Sequence, residues 1–571
     1  MSSNVVLDEV QALVATATQE ARQIVIAGPG AGKSEVVGAR CHELLAQDVY
    51  PEEILVISFS NAAVDVVRAR TLDVVDEGRG VDCATIDSLA ARVRIELENE
   101  EPRFRGFDEA VRRATRLMEE ADQPVFPDVR HVIVDEVQDV VGVRSDFVLT
   151  LLAKGVYEGV GFTLLGDPLQ SLFDFADDGA GSDALFLERV RERFGAKTVH
   201  LTGEFRARTA EARAVAAARP ALEGLVDSDR LMRLRDLCAE LPPLGDLDED
   251  AVEDVAAWSG TTVLLCDTNA RAGLVAARFA RFGLPVELAA AATDPTVDPW
   301  VGDLLGRHAS SSISFEEFES IAAAAGVENA HGIWRILMRA ARSSRDLHVP
   351  SLATALGRRR IPPELQRAPA SKVVASTVHR AKGREFDNVV LVDPDSWFAE
   401  EGGDGPAARR LFVAMSRARA RIARGRGDST KFWSKDAGRD VWRRRSFRGR
   451  GTLGVILEPR HARHLGPVEY DLEAVGRAAV EWSRTDDIIT VDADVIPSWT
   501  ASVDGVDVAR TGEEFGRMVR SLSSGDRVPE LAGGRLEGTE TVVGAAREDG
   551  PGRHGLWLGA RVSGPLDFEW K

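Results

Sequence analysis

The run IVIAGPGAGKSE, Ile24–Glu35, has the residues needed to hold phosphate. Its apolar start suits a strand, its glycines suit a tight loop, and Lys-Ser opens a helix-like stretch. Glycine lets the backbone curl until successive N–H groups face phosphate oxygens, and a helix N-terminus adds positive potential there. Gly28, Gly30, Ala31 and Gly32 would form this cradle. Lys33 would reach the β- and γ-phosphates of ATP, and the Ser34 hydroxyl would ligate Mg2+. The strict form of the loop has glycine where Ala27 stands, so its first position is relaxed. About a hundred residues on, HVIVDEVQDV, His131–Val140, runs a buried-strand pattern into acidic residues. Ligands of open α/β sheets bind at that end of a strand. Asp135 would hold Mg2+ through water, and Glu136 would orient and deprotonate an attacking water.

These side chains need a parallel sheet to carry them. The first half alternates apolar runs (Gln23–Ala27, Ile54–Ser58, His131–Asp135, Phe162–Leu165, Val199–Thr202) with helical patterns such as Asn61–Leu72 and Asp146–Leu152. A second alternating set follows: Thr262–Cys266, helix-like Ala270–Phe282, Val373–Ser376, Asn388–Val392 and helix-like Ala407–Ala418. Strand–helix alternation implies parallel sheets, so the fold class is α/β with two such domains. Residues 96–128 read as a charged helical insertion and 289–370 as an Ala-rich helical one. From about Ser429 the pattern changes to a basic stretch with aromatics, Arg439–Gly451, and then short β-like segments between Gly, Pro and Asp. The expected division is 1–205 for the first domain, 206–288 with 371–428 for the second, 289–370 for the insertion, and 429–571 for a basic linker and β-rich C-terminal domain.

In order along the chain, further segments resemble the UvrD/Rep type of superfamily 1 DNA helicase, from Leu7 to about Gly425. LDEVQ (Leu7–Gln11) resembles the adenine-reading segment, which implies that Gln11 contacts adenine. SFSNAA (Ser58–Ala63) resembles a strand and loop whose Phe59 and Asn61 would touch single-stranded DNA. TIDSLA (Thr85–Ala90) is similar to TFHxxA with Asp87 in place of His, and DEVQD (Asp135–Asp139) matches DExQD. LGDPLQSLFDF (Leu165–Phe175) resembles GDxxQSIYxFRGA, so Gln170 would sense the γ-phosphate and Phe175 would stack on a base. Ala176 stands where the family has Arg. LTGEFRAR (Leu201–Arg208) is similar to the NYRS motif, which implies Phe205 on the adenine and Arg206 at the γ-phosphate. LLCDTNAR (Leu264–Arg271) is similar to a strand of the second motor domain. STVHRAKGREFDNVVLVD (Ser376–Asp393) would turn Thr377 and His379 to DNA and Glu385 to the ribose. RLFVAMSRARARI (Arg410–Ile422) implies that Arg417 is the arginine finger, although GDGPAAR replaces the family's acidic residue before that helix.

The resemblance implies two RecA-like P-loop motor domains with ATP between them, helical insertions and a β-rich C-terminal domain. ATP and Mg2+ are the expected cofactors. The expected track is single-stranded DNA, or DNA with a single-stranded tail, followed 3′-to-5′ in repair, recombination or defence. Both accessory insertions are short for the family, so translocation is expected to outweigh unwinding. The alternative is an ATP-gated switch acting on a partner such as a nuclease, and the C-terminal domain could bind a protein partner. Net charge is −20, so any grip on phosphates must be local rather than global. Only eight residues are lysines, and Lys33 and Lys382 both fall inside motifs. The four cysteines form no CxxC pair, which fits a reducing cytoplasm and argues against zinc or a disulfide framework. Neither a leader sequence nor a membrane span is expected.

Overall fold

In β1 (Arg22–Ala27) every residue after the first is buried, which places this strand inside a sheet covered on both faces. The computed structural model describes residues 7–58, 81–98, 106–172, 182–289, 296–327, 329–358, 361–369, 371–398, 403–436, 441–446, 452–464, 480–484, 489–491, 494–522, 528–546 and 552–570. Phe59, Asn61, Phe175 and the helix expected at Asn61–Leu72 lie outside these residues.

The first sheet adds β2 (Ile54–Ser58), β3 (Asp82–Thr85), β4 (His131–Val134), β5 (Gly161–Gly166) and β6 (Lys197–Leu201) in the order β3-β2-β4-β5-β1-β6, with parallel pairing throughout. The strand period of two splits its residues between two cores. Ile24, Leu55, Val132 and Leu164 enter one, packed by Phe147, Phe162 and Phe186. Val25, Val56, Ile133 and Leu165 enter the other, packed by Val36, Val37 and Leu44 of the helix Lys33–Ala46. Within the charged segment expected as a helical insertion, Phe107–Glu120 is a helix, and it lines the first core together with the helix Ile86–Glu98 that largely precedes the segment.

The second sheet contains β7 (Pro243–Asp246), β8 (Thr262–Cys266), β9 (Glu287–Leu288), β12 (Val373–Thr377), β13 (Phe386–Val392) and β14 (Ala418–Arg426) in the order β7-β14-β13-β8-β12-β9. A short antiparallel pair, β10 (Ser312–Ile313) and β11 (Leu347–His348), lies within the helical insertion. The pattern at Ala407–Ala418 divides differently from the sequence expectation: the helix is Asp404–Met415, and Ala418 already begins β14. ARARIARGR alternates arginine with small or apolar residues, a period-two pattern that a strand satisfies and a helix does not.

The chain packs as two compact units. One is Met1–Glu240 with Gly383–Glu385 and Phe398–Arg421; the other is Leu241–Lys382 with Phe386–Trp397 and Ile422–Lys571. In the second unit, a five-stranded C-terminal sheet runs Trp433–Asp436, Val441–Arg445, Thr452–Leu457, Leu556–Glu569, Glu530–Val543 in spatial order. Its two long strands are built into the rest of the unit. The helix Pro299–Gly306 approaches them through glycines one turn apart: a Cβ on Gly302 would lie 2.6 Å from the Trp557 carbonyl oxygen, and one on Gly306 would lie 2.4 Å from that of Leu556. Arg535, 7% exposed, donates to the carbonyls of Ala276 and Val286, and the Glu537 carboxylate accepts from Leu288 N–H. Among the described residues no helix is long and apolar enough to cross a membrane.

Candidate active site

The phosphate loop leaves the end of β1, and Gly30 (φ 77°) and Gly32 (φ 78°) take left-handed backbone that favours glycine. There is no spare room either: a Cβ on Gly30 would lie 2.2 Å from Glu204 Oε1, and one on Gly32 would lie 2.5 Å from Gln11 Nε2. Gly32 caps the helix Lys33–Ala46, so Lys33 and Ser34 fall in its first turn, where the dipole favours an anion. Gln11 is 3% exposed and donates from Nε2 to Ala31 O at 2.9 Å, while its Oε1 accepts from Asp8 N–H at 3.0 Å. The helix Glu9–Ala15 is thereby tied to the loop. Phe205 N–H donates to Gly30 O at 2.9 Å, and its ring stands 60% exposed beside Gly203 and Gly32.

Asp135 and Glu136 follow the last residue of β4. Glu136 adopts φ 54°, a left-handed conformation that costs a side-chain-bearing residue roughly 1 kcal/mol or more. Its Oε2 lies 3.8 Å from the Lys33 ammonium and accepts from the Gln138 amide. Gln138 Oε1 accepts from Asp167 N–H at 3.0 Å. The Asp167 carboxylate accepts from Gln170 Nε2 at 2.9 Å, and Gln170 Oε1 accepts from Arg417 Nη2. One hydrogen-bonded and ionic chain therefore links Lys33, Glu136, Gln138, Asp167, Gln170 and Arg417. All six belong to the same compact unit.

Arg417 sits at the junction between the helix Asp404–Met415 and β14, 5% exposed, and also donates to Val413 O at 3.1 Å. Burial, and then the adjacent Arg206, pull its guanidinium down to about 10, while Glu136, Glu385 and Asp167 act the other way. It keeps its charge near neutral pH. Arg206 donates to Ser416 O at 2.6 Å and to Glu385 Oε1 at 2.7 Å. Glu385 Oε2 accepts from Arg419 Nε at 3.1 Å. Burial pushes the Glu385 carboxyl up, but the pull of Arg206 and Arg419 is greater and holds it below the ordinary carboxylate range.

Thr377 and His379 lie at the end of β12, in the second compact unit. Thr377 is 7% exposed and its hydroxyl accepts from Arg380 N–H at 3.4 Å, capping the short helix Val378–Ala381; His379 is exposed. Gln138, Asp167 and Arg219 are part of the site without having been singled out from sequence. The first two stand inside DEVQD and LGDPLQ, so those motifs held the signal. Arg219 has no motif around it.

Two family models match this chain. One, described as an AAA domain, covers residues 10–176, and the other, described as a UvrD-like helicase C-terminal domain, covers residues 372–423. Together these matches support a motor of the UvrD/Rep superfamily 1 helicase type. Gln11, Lys33, Asp135, Glu136 and Gln170 fall in the AAA-domain match, and Thr377, His379, Glu385 and Arg417 in the UvrD-like C-terminal match. Phe205 and Arg206 lie in neither, and the contacts of Phe205 with Gly30 and of Arg206 with Glu385 connect them to the site. No curated protein matched the chain. The matched domains imply nucleotide binding and support a helicase or translocase of the superfamily 1 kind.

Proposed function

We propose that this chain hydrolyses ATP to move along single-stranded DNA in the 3′-to-5′ direction, with duplex unwinding secondary. The observation that carries the ATPase part is the linked chain Lys33–Glu136–Gln138–Asp167–Gln170–Arg417. It connects the group that would hold the γ-phosphate, the base that would act on water, the sensor and the finger. Ser34 and Asp135 would hold Mg2+, which shields phosphate charge and helps orient the γ-phosphate; a hard cation of this kind needs few protein oxygens when phosphates and water complete its shell. Lys33 and the loop N–H groups hold the phosphates, and the Phe205 ring takes the adenine face with Gln11 at its edge. Glu136 is released from Lys33 when phosphate takes that ammonium, and then accepts a proton from the attacking water. Arg206 and Arg417 stabilise charge on the transferring phosphoryl group. Glu385, held by Arg206 and Arg419, ties the ribose side of the site to those arginines.

Phe59, Asn61, Phe175, Thr377 and His379 are proposed to grip the DNA, by stacking that tolerates any base and by contact with the backbone. Of these, His379 has the exposure such a contact needs. Repair, recombination or defence against foreign DNA is the proposed setting.

The test is ATP turnover of the purified full chain with and without single-stranded DNA, beside Glu136→Gln. Loss of the general base should lower kcat by about 10² to 10⁴. Strong DNA stimulation that disappears in the variant supports the translocase. Turnover that depends on Glu136 but ignores DNA removes the DNA-coupled reading and leaves the ATP-gated switch in its place.

A further inference from the structure

Asp167 is wholly buried at the centre of the linked chain, and its carboxylate is gripped from several sides. Oδ1 accepts from Leu169 N–H at 3.2 Å, and Oδ2 accepts from Gln170 Nε2 at 2.9 Å. The charge opposite comes from Arg219, whose Nε and Nη2 reach Oδ1 at 3.3 and 3.0 Å. Arg219 projects from the helix Ala210–Glu223, is 8% exposed, and is itself steadied by Glu223 at 2.8 Å one turn further on. Its aliphatic stem runs along the back of the phosphate loop: a Cβ on Gly28 would lie 2.7 Å from Arg219 Cδ. Gly28 thus has a close-packing reason to be glycine, and the neighbour that requires it is this arginine.

We propose that Arg219 is a positioning residue of the ATPase centre, bracing the phosphate loop at Gly28 and fixing Asp167 so that the Gln170 amide can face only one way. The argument rests on donors and acceptors. A carboxylate beside a guanidinium accepts and does not donate, so Gln170 must turn its NH2 to Asp167. Its carbonyl oxygen then faces Arg417, which has only donors to offer. Reversing the amide would set donor against donor and acceptor against acceptor at once. Arg219 therefore determines, through Asp167, how the sensor meets the arginine finger, although it belongs to no recognisable motif. This rests on the ATPase reading above.

The test compares wild type, Arg219→Met and Arg219→Lys as full chains, reading kcat and KM for ATP, affinity for a fluorescent ADP analogue, and melting temperature. Methionine keeps the stem against Gly28 and removes the charge. In the expected result it lowers kcat about tenfold or more, because small misplacements of catalytic groups are expensive in rate. ADP affinity should move much less, and lysine should recover part of kcat. In a Gln170→Ala background Arg219→Met should add little, since both changes act on the same contact. Wild-type kcat in Arg219→Met, or full additivity with Gln170→Ala, overturns the proposal. A buried carboxylate stripped of its cation is strongly destabilising, so Arg219→Met could fail to fold. The double variant Asp167→Asn/Arg219→Met removes both charges and meets that case: low kcat in a folded protein supports the proposal, and wild-type kcat refutes it. If wild type itself shows no Glu136-dependent turnover, the ATPase reading falls and takes this inference with it. Wild-type turnover in the arginine variants sinks this inference alone.

Discussion

At the residue scale, the cations of the proposed site face the groups that they would exchange during turnover. Lys33 faces Glu136, and Arg417 faces Gln170. Arg417 is the side chain whose removal should be felt most directly in the transition state. Arg417→Ala should lower kcat by about 10³ while ATP affinity changes only a few-fold, as measured by steady-state turnover alongside nucleotide titration. Phe205 makes a different prediction because it is exposed and its hydrogen bond to the loop comes from its backbone. Phe205→Ala should raise KM for ATP about tenfold through lost stacking and leave binding of inorganic triphosphate alone. Equal weakening of both ligands would show that Phe205 supports the loop rather than the base.

At the element scale, β4 illustrates how the same strand serves site and stability. Its far end begins with His131, fully buried between Gln19 O at 2.8 Å and the Thr163 hydroxyl at 3.0 Å. Burial above all, and then Arg40, push this imidazole down to about 3 from the usual 6.5. Between those values the unfolded chain binds a proton that the folded chain refuses. Stability therefore rises with pH across that window and is lost as pH falls below the unfolded value. His131→Gln, which can keep a donor and an acceptor in place, should flatten the pH dependence of unfolding between pH 6 and 4 by up to about 1.4 kcal/mol per pH unit. An unchanged slope in denaturant titrations would show that His131 takes up its proton in the folded protein. The helix Pro299–Gly306 gives a packing counterpart. Gly302→Val would drive a side chain into the Trp557 carbonyl, and overpacking of this kind costs about 1–3 kcal/mol, visible as a fall in melting temperature.

At the scale of the whole molecule, the C-terminal strands are not a detachable tail. Ile456 packs on Gly273 of the helix Asn269–Arg281, Arg535 reaches under the same helix, and Leu556 joins the core of the helical insertion. Deleting residues 429–571 would leave the carbonyls of Ala276 and Val286 without their donor and expose that core. The shortened chain should aggregate or melt well below the full chain in light scattering and thermal unfolding. A monodisperse truncation with the full melting temperature would sink the idea that this region is structural.

The sequence by itself determined the class of fold and the local placing of the candidate residues. Gly30, Gly32, Lys33 and Ser34 are local: a loop that needs positive φ and a helix start are written in consecutive residues. Asp135 and Glu136 are equally local, because an apolar run followed by acids places them at a strand end. The two six-stranded sheets follow from alternating apolar runs and amphipathic stretches, the β-rich character of the C-terminal region from its short β-like segments, and both are present. What only the tertiary structure decided depends on residues far apart in the chain. Arg219 lies 52 residues from Asp167, and Arg417 lies 247 from Gln170. No periodicity or local spacing can report such a pairing, since it depends on which helix the sheet order brings beside which loop. The resemblance implies that Gln170 and Arg417 meet the same phosphate, but it does not report the contact between Arg219 and Asp167. The same reason hid the role of the C-terminal strands: a strand pattern states which residues want burial, and only packing names what buries them.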